Sequence, residues 1–158
     1  MARESLSRRF TESPRIEAAP GPPLIGALLR MPWEVVRQHM LDRLHGSGFA
    51  DLDSAYLNVF LYPGPQGARP SDLAARLRIS KQALNYVLGE LERLGYLERQ
   101  PDPDDLRAKR IVLTERGASA IAAIRDAVAE VEDAWAQHLG AGRFAELRNL
   151  LLDLNQQA

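Results

Sequence analysis

Apolar residues recur at helical spacing along most of the chain. Between residues 33 and 44 they fall three or four positions apart, which predicts an amphipathic helix. Pro32 precedes this stretch, and we place the helix start there because proline suits the first position of a helix. A second helical pattern spans residues 52–60. The first third of the chain is therefore predicted to be helical once a polar segment, residues 1–22, has ended.

Two further helices follow, joined by a short turn. Ser71 is placed to cap the first and Ser80 the second, because a serine hydroxyl accepts a hydrogen bond from a backbone N–H of the first turn. Gly95 is expected to end the second helix in a left-handed conformation. Gly89 lies inside it, where glycine costs about 1 kcal/mol relative to alanine, so we interpret Gly89 as a point of close packing. The predicted inward side chains are Leu84, Val87, Leu91 and Leu94.

A hairpin and two more helices complete the pattern. Strand-like runs at residues 96–100 and 110–113 flank a segment rich in turn-forming Pro and Asp. Thr114 is placed to cap the next helix. The last two helices have apolar stripes at the spacing of a coiled coil, which suits a dimer interface, the alternative being burial within one subunit. These stripes contain Ile121, Ile124, Val128, Val131, Trp135, Phe144, Leu147, Leu151 and Leu154.

Composition and charge narrow the class of protein. The 158 residues include no cysteine, which excludes disulfides, cysteine-ligated metals and thiol chemistry. The net charge is −1, but residues 69–116 contain 10 basic and 8 acidic side chains. A phosphate-binding protein needs a local positive surface rather than a positive total. No signal peptide or membrane-spanning run is present, so we expect a cytoplasmic protein without membrane contact.

The sequence contains no motif that indicates an enzyme or a cofactor. It has no HExxH, no GxSxG and no phosphate-binding glycine loop, so no catalytic residues are predicted. His39, Asp42 and His45 are spaced three apart on one predicted helix and spread over about a third of its circumference. We interpret them as surface or interface side chains and predict no metal site.

The order of short helix, tight turn, longer helix and hairpin is typical of DNA-binding proteins. A major groove about 12 Å wide admits one α-helix, whose first turns must then present hydrogen-bonding side chains. Lys81, Gln82, Asn85 and Tyr86 meet this requirement. The alternative is an ordinary amphipathic helix with a solvated face.

The predicted hairpin tip is rich in charge of both signs. Arg107, Lys109 and Arg110 lie near three aspartates, and an arginine at such a tip can enter a narrow minor groove, where the negative potential is concentrated. Asp105, two residues from Arg107, could hold its side chain. The alternative is a solvated turn whose charges cancel.

Residues 70–117 resemble the winged helix-turn-helix of the MarR family of bacterial regulators. The segment DPDDLRAKRIVLTERG, residues 102–117, has the family's wing pattern, and SDLAARLRIS and LERLGYLER also fit. The resemblance implies a mainly helical fold with a small β-hairpin wing. It implies a DNA-binding lobe over about 52–115 and dimerisation helices over about 24–46 and 116–156, within one domain that spans residues 23–158. The polar composition of residues 1–22 predicts a flexible arm, which is either a disordered tail or an arm that contacts DNA or the partner subunit.

The resemblance also implies roles for individual residues. Arg107 matches the wing arginine that enters the minor groove, and Asp105 the aspartate that orients it. The family usually has a basic residue near the position of Tyr86. The residues that match the groove-facing part of the recognition helix are Ser80, Lys81, Gln82, Asn85 and Tyr86.

Family members often bind small aromatic or phenolic effectors. Trp33, Met40, Tyr56 and Phe60 could line such a cleft, although their helical spacing favours core positions. We therefore expect a homodimeric regulator, a repressor acting on a pseudo-palindromic site in double-stranded DNA, without a cofactor. The alternatives are a winged-helix module that binds RNA or protein, and a small-molecule-binding helical dimer without DNA recognition.

Overall fold

The computed structural model describes residues 22–61, 67–105 and 107–156, so the predicted N-terminal arm lies outside the described residues except for Pro22. Six helices and one hairpin are found in this part of the chain, which confirms the predicted fold class. In chain order they are α1 (Ile25–Gly46), α2 (Ser54–Phe60), α3 (Pro70–Leu77), α4 (Lys81–Arg93), β1 (Leu97–Pro101), β2 (Lys109–Leu113), α5 (Glu115–Leu139) and α6 (Ala141–Gln156).

Helix α1 differs from the prediction at its start. It begins at Ile25 and contains Pro32, so Pro32 is not the first residue of the helix. A proline inside a helix removes one backbone hydrogen bond, here to the carbonyl of Leu28, and crowds the preceding turn. The preceding residues 27–31 are Ala, Leu, Leu, Arg and Met, all of which favour helix, and the helix continues through the proline.

The chain divides into two compact units, of which residues 41–125 form one. Tyr96 lies in the core of this unit, and its side chain is fully buried. Its ring meets Phe60 edge-on, with ring centroids 5.5 Å apart, and Phe49 at 6.2 Å. Aromatic pairs in such tilted arrangements add to the stabilisation that burial provides. The other large, fully buried side chains of this unit include Leu44, Leu52, Leu84, Leu88, Leu91, Leu97 and Ile111.

The two helices of the helix-turn-helix are α3 and α4. The predicted cap at Ser71 is wrong, because α3 begins one residue earlier at Pro70 and the hydroxyl of Ser71 donates to Asp72 instead. The predicted cap at Ser80 is confirmed: its hydroxyl accepts a hydrogen bond from the backbone N–H of Ala83 at 3.1 Å. Gly95 follows the C-cap Leu94 of α4 and has the predicted left-handed backbone, with φ +77°.

The hairpin and the helix after it are closely linked to the end of α4. Strands β1 and β2 pair antiparallel, and Ala68 adds a bridge to Ile111 on the outer side of β2. Thr114 caps α5 as predicted by accepting from the N–H of Gly117 at 3.0 Å, and its hydroxyl donates to the carbonyl of Gly95 at 2.6 Å. A Cβ at Gly117 would collide with the Tyr96 carbonyl, which explains the glycine in the wing pattern.

The second unit comprises the chain up to Met40 and from Asp126 onward. Here Ala127 and Val131 of α5 are buried, and His39 Nε2 lies 2.9 Å from a carboxylate oxygen of Glu130. Helix α6 has no buried residue. Within the described ranges, no helix combines the length and the apolar character needed to cross a bilayer.

Candidate nucleic-acid interface

Helix α4 separates its apolar side from its polar side. Leu84, Leu88 and Leu91 are buried with at most 1% of their surface exposed, and they fix the helix against the core. The sequence analysis missed Leu88 and named Val87 and Leu94 instead, which are half-buried. The side chains on the opposite, exposed side are Lys81, Gln82, Asn85 and Tyr86.

The exposed row on α4 is available for contacts outside the chain. In the part of the chain that the structure describes, the side chains of Lys81, Gln82 and Asn85 make no hydrogen bond or ion pair. Tyr86 is 67% exposed. Partial burial, followed by the charge of the neighbouring Tyr86, raises the pKa of Tyr56 on α2. The Ser80 hydroxyl already accepts the capping hydrogen bond from Ala83.

The hairpin, or wing, is anchored by a buried carboxylate. Asp102 is fully buried, and its Oδ2 accepts a hydrogen bond from Arg69 Nε at 2.7 Å, while Arg110 Nε lies 3.7 Å away. Its Oδ1 accepts from the backbone N–H of Asp104 at 2.9 Å. The hydrogen bond from Arg69, more than the one from this N–H, lowers the pKa of Asp102 to about 2. The base of the wing is thereby tied to the residue that precedes α3.

The wing tip is shaped by a second aspartate. Asp105 accepts a hydrogen bond from the backbone N–H of Arg107 at 3.0 Å, and its carbonyl accepts from Ala108 at 2.8 Å. Arg107 and Lys109 are exposed. Asp105 thus sets the turn that presents Arg107, while its predicted contact with the guanidinium stays a prediction.

The structure sorts the ten basic residues of segment 69–116 into two groups. Half of them form ion pairs with acidic side chains of the same unit: Arg69, Arg93, Arg99, Arg110 and Arg116. The other five are Arg76 and Arg78, which also interact within the chain, and Lys81, Arg107 and Lys109. The second group lies on the helix-turn-helix and the wing. Arg110 lies beside the buried Asp102 at the base of the wing. Its predicted DNA contact stays a prediction.

A further cluster joins α5 to the end of α4. Arg116 makes two hydrogen bonds to the Asp51 carboxylate, at 2.9 and 3.0 Å, and lies over the ring of Tyr96 at 4.4 Å. The Tyr96 hydroxyl donates to Asp51 at 2.7 Å, and this bond is the main cause that lowers the pKa of Asp51. Arg116 also donates to the carbonyl of Leu94. Local sequence patterns did not predict this cluster, because the residues that Arg116 contacts lie 20 to 65 positions away from it.

The predicted dimer residues differ in how much surface they leave free. Ile124 is only 2% exposed in the single chain, so it packs in this subunit and has almost no surface for a partner. Leu147 and Leu154 are 40% and 60% exposed. The remaining predicted residues are partly exposed: Ile121, Val128, Trp135, Phe144 and Leu151. Their role in an interface stays a prediction.

The residues proposed to line an effector cleft are of two kinds. Met40 and Phe60 are buried, at 2% and 0% exposure, as the core interpretation predicts. Trp33 is 44% exposed and Tyr56 is half-buried. Among the described residues, no group of three or more histidine or carboxylate side chains is placed to hold a metal ion.

Comparison with known proteins identifies the lobe that contains these features. The family profile of the MarR family matches residues 51–108, which include α2, the helix-turn-helix and most of the wing. The matched segment is therefore similar to the MarR family. A relative from Bacillus subtilis (strain 168), the uncharacterized HTH-type transcriptional regulator YkoM, is 32% identical over 82 residues. The chain spans about half the length of that relative, 52% of each protein.

Solved structures of MarR-like regulators share the fold beyond the matched segment. The reduced form of MarR from E. coli aligns with a TM-score of 0.68 at 24% identity, covering 85% of this chain and 98% of that one. The transcriptional repressor CouR, solved bound to a 23-mer DNA duplex, aligns with a TM-score of 0.64 at 25% identity and covers 84% and 92%. The architecture of this chain is therefore that of MarR-like winged-helix proteins.

Proposed function

We propose that this protein is a sequence-specific, DNA-binding transcriptional regulator that acts as a homodimer. The observation that carries the proposal is the exposed side of α4, where Lys81, Gln82 and Asn85 make no hydrogen bond or ion pair within the described residues while the leucines behind them are buried. A helix fixed on one side and unsatisfied on the other is suited to enter a major groove. The winged-helix fold and the MarR-family segment support the same conclusion.

The two DNA contacts follow from the chemistry of the exposed groups. Gln82 and Asn85 can each make two hydrogen bonds to an adenine edge, and Lys81 can reach guanine or phosphate. Arg107, exposed at the wing tip, can reach into the adjacent minor groove. The buried Asp102 binds Arg69 and so restrains the base of the wing before DNA is bound. The wing then loses less conformational entropy on binding.

A homodimer is supported by the apolar surface of the last helix. Leu147, Leu150, Leu152 and Leu154 are each at least 40% exposed in the single chain, more apolar surface than a helix in water normally presents. Two-fold symmetry then predicts a pseudo-palindromic site with half-sites roughly 34–36 Å apart.

The regulatory outcome that we propose is repression. CouR, which shares the fold and 25% of aligned residues, is a transcriptional repressor bound to a DNA duplex. Release by a small aromatic or phenolic effector remains a prediction from the family resemblance. Such an effector must bind the DNA-competent and DNA-incompetent dimers with different affinities, because equal affinity would shift no equilibrium.

The test is duplex binding measured by fluorescence anisotropy, using DNA from upstream of the protein's own gene. Scrambled duplex and RNA of the same sequence serve as competitors, and salt is varied from about 50 to 200 mM, where a protein that neutralises many phosphates loses orders of magnitude in affinity. Asn85→Ala should weaken binding to the upstream duplex roughly 5–100-fold. The ratio of the affinities for the upstream and the scrambled duplex should fall as well. Arg107→Ala should weaken binding and lower the salt slope by about 1 per subunit.

Arg99→Ala is the matched control for the wing. Arg99 is on the same hairpin but is held by Glu92 at 3.0 Å, so its loss should change duplex binding little. Stronger competition by RNA, or no duplex binding at low salt, would favour the RNA- or protein-binding module. Unchanged affinity in Arg107→Ala would refute the assignment of the wing. A third outcome is that the protein does not bind the duplex but turns over or binds a small molecule, and that Asn85→Ala and Arg107→Ala leave this activity unchanged. That outcome would favour the helical dimer without DNA recognition.

A further inference from the structure

The turn of the helix-turn-helix contains a backbone conformation that side chains disfavour. Arg78 has φ +53° and ψ +39°, and it is the only residue with positive φ, apart from glycines, in the described ranges. Its N–H donates to the carbonyl of Ala75, and the N–H of Ile79 donates to that of Ala74, each at 3.2 Å. Glycine is the usual residue at such a helix end, because a Cβ crowds the left-handed conformation. A strained residue that persists is grounds for a functional hypothesis.

The surroundings of this turn along the chain are positively charged. Residues 73–89 contain three basic side chains, Arg76, Arg78 and Lys81, and no acidic one. All three are exposed. The turn comes directly before the N-terminus of α4, and in helix-turn-helix proteins the first helix crosses the DNA backbone while the start of the second meets base edges. The turn therefore lies where the phosphates border the groove, if α4 enters it.

We propose that Arg78 binds a phosphate of the DNA backbone and that the left-handed turn positions its guanidinium for this contact. The inference rests on the DNA-binding function proposed above. Arginine is suited to this role because its planar guanidinium makes two parallel hydrogen bonds to phosphate oxygens. Arg78 would set the register of α4 on the duplex, since phosphate contacts position a protein and base contacts give it specificity.

Three substitutions separate the charge from the backbone strain. Arg78→Ala removes the charge and keeps the strain, Arg78→Gly removes both, and Arg78→Lys keeps the charge. We expect Arg78→Gly to melt about 2–4 °C above Arg78→Ala. Both should nevertheless bind the upstream duplex and the scrambled duplex several-fold more weakly than the parent protein, with the salt slope lower by about 1 per subunit. Arg78→Lys should retain most of the slope.

The control is Arg93→Gln, which removes one positive charge at the opposite end of α4, where Arg93 is paired with Glu90 at 2.8 Å. An equal fall in salt slope in this control would show a general charge effect and overturn the proposal. Parent-like binding by Arg78→Gly would overturn it too, because the strained turn would then matter only through stability. If the parent protein binds no duplex, both this inference and the proposed function fail, whereas parent binding with unaffected Arg78 variants refutes this inference alone.

Discussion

Gly89 offers a clean test of how α4 is stabilised. It lies in the interior of the helix and is exposed, and a Cβ built there would meet no atom within 4 Å beyond its chain neighbours and the nearby backbone of its own helix. The expectation that Gly89 allows close packing within the chain is therefore wrong. An alanine in an exposed helix interior is favoured over glycine by about 1 kcal/mol, because glycine loses more backbone freedom on folding. For a chain of this size that difference corresponds to roughly 2–4 °C in melting temperature.

The assay is thermal unfolding of Gly89→Ala followed by circular dichroism at fixed protein concentration, because dimer formation makes the transition depend on concentration. Gly117→Ala is the control, because it should change the melting temperature in the opposite direction. A Cβ at Gly117 would collide with the Tyr96 carbonyl. Such overpacking lowers the free energy of unfolding by about 1–3 kcal/mol, so the melting temperature should fall by several degrees. A melting temperature of Gly89→Ala equal to or below that of the parent would refute the argument. It would mean that α4 is stabilised through contacts at this position that the single chain lacks.

Two further predictions concern assembly and the wing anchor. Leu151→Asp should shift the protein from dimer to monomer, as measured by light scattering. We expect association to weaken about a hundredfold or more, because a symmetric interface loses two leucines. A variant that stays fully dimeric would show that α6 is not part of the interface. Asp102→Asn should lower the melting temperature at pH 7. Because the folded pKa of Asp102, about 2, is below the ordinary 3.8, its stabilisation is fully present above about pH 3.8 and is lost as the pH falls through 2. The difference in melting temperature between the parent and Asp102→Asn should therefore become smaller below pH 4. A difference that does not change with pH would contradict a stabilising role of the Asp102 charge.

Local patterns predicted the helix-turn-helix and the wing well because their determinants are close in sequence. Ser80 caps α4 three residues away, Thr114 caps α5 in the same way, and Gly95 ends α4 with the predicted left-handed backbone. Pro32 shows the limit of such rules. A proline suits both the start of a helix and, at a cost, its interior, and the sequence alone does not show whether the residues before it are already helical.

The candidate site was predictable in its exposed side chains and unpredictable in its supports. The polar row of α4 follows from helical spacing. The pairing of Arg69 with Asp102 does not, because 33 residues separate them and Asp102 looks like one of several aspartates in a solvated turn. Arg110 was for the same reason grouped with the free cations of the wing tip. Long-range ion pairs decide which charges of a mixed segment remain outward, and no local pattern contains that information.

The positions of the two tryptophans have a practical consequence. Trp33, 44% exposed, and the partly exposed Trp135 are the chain's only tryptophans, and both belong to the unit that excludes residues 41–125. The recognition helix and the wing contain none. Tryptophan fluorescence is therefore a label-free signal from the unit that contains α6, where covering an indole in a dimer interface should change the emission. Dilution of the unlabelled protein can then follow subunit dissociation optically, while a dye on the duplex reports DNA binding in a separate channel.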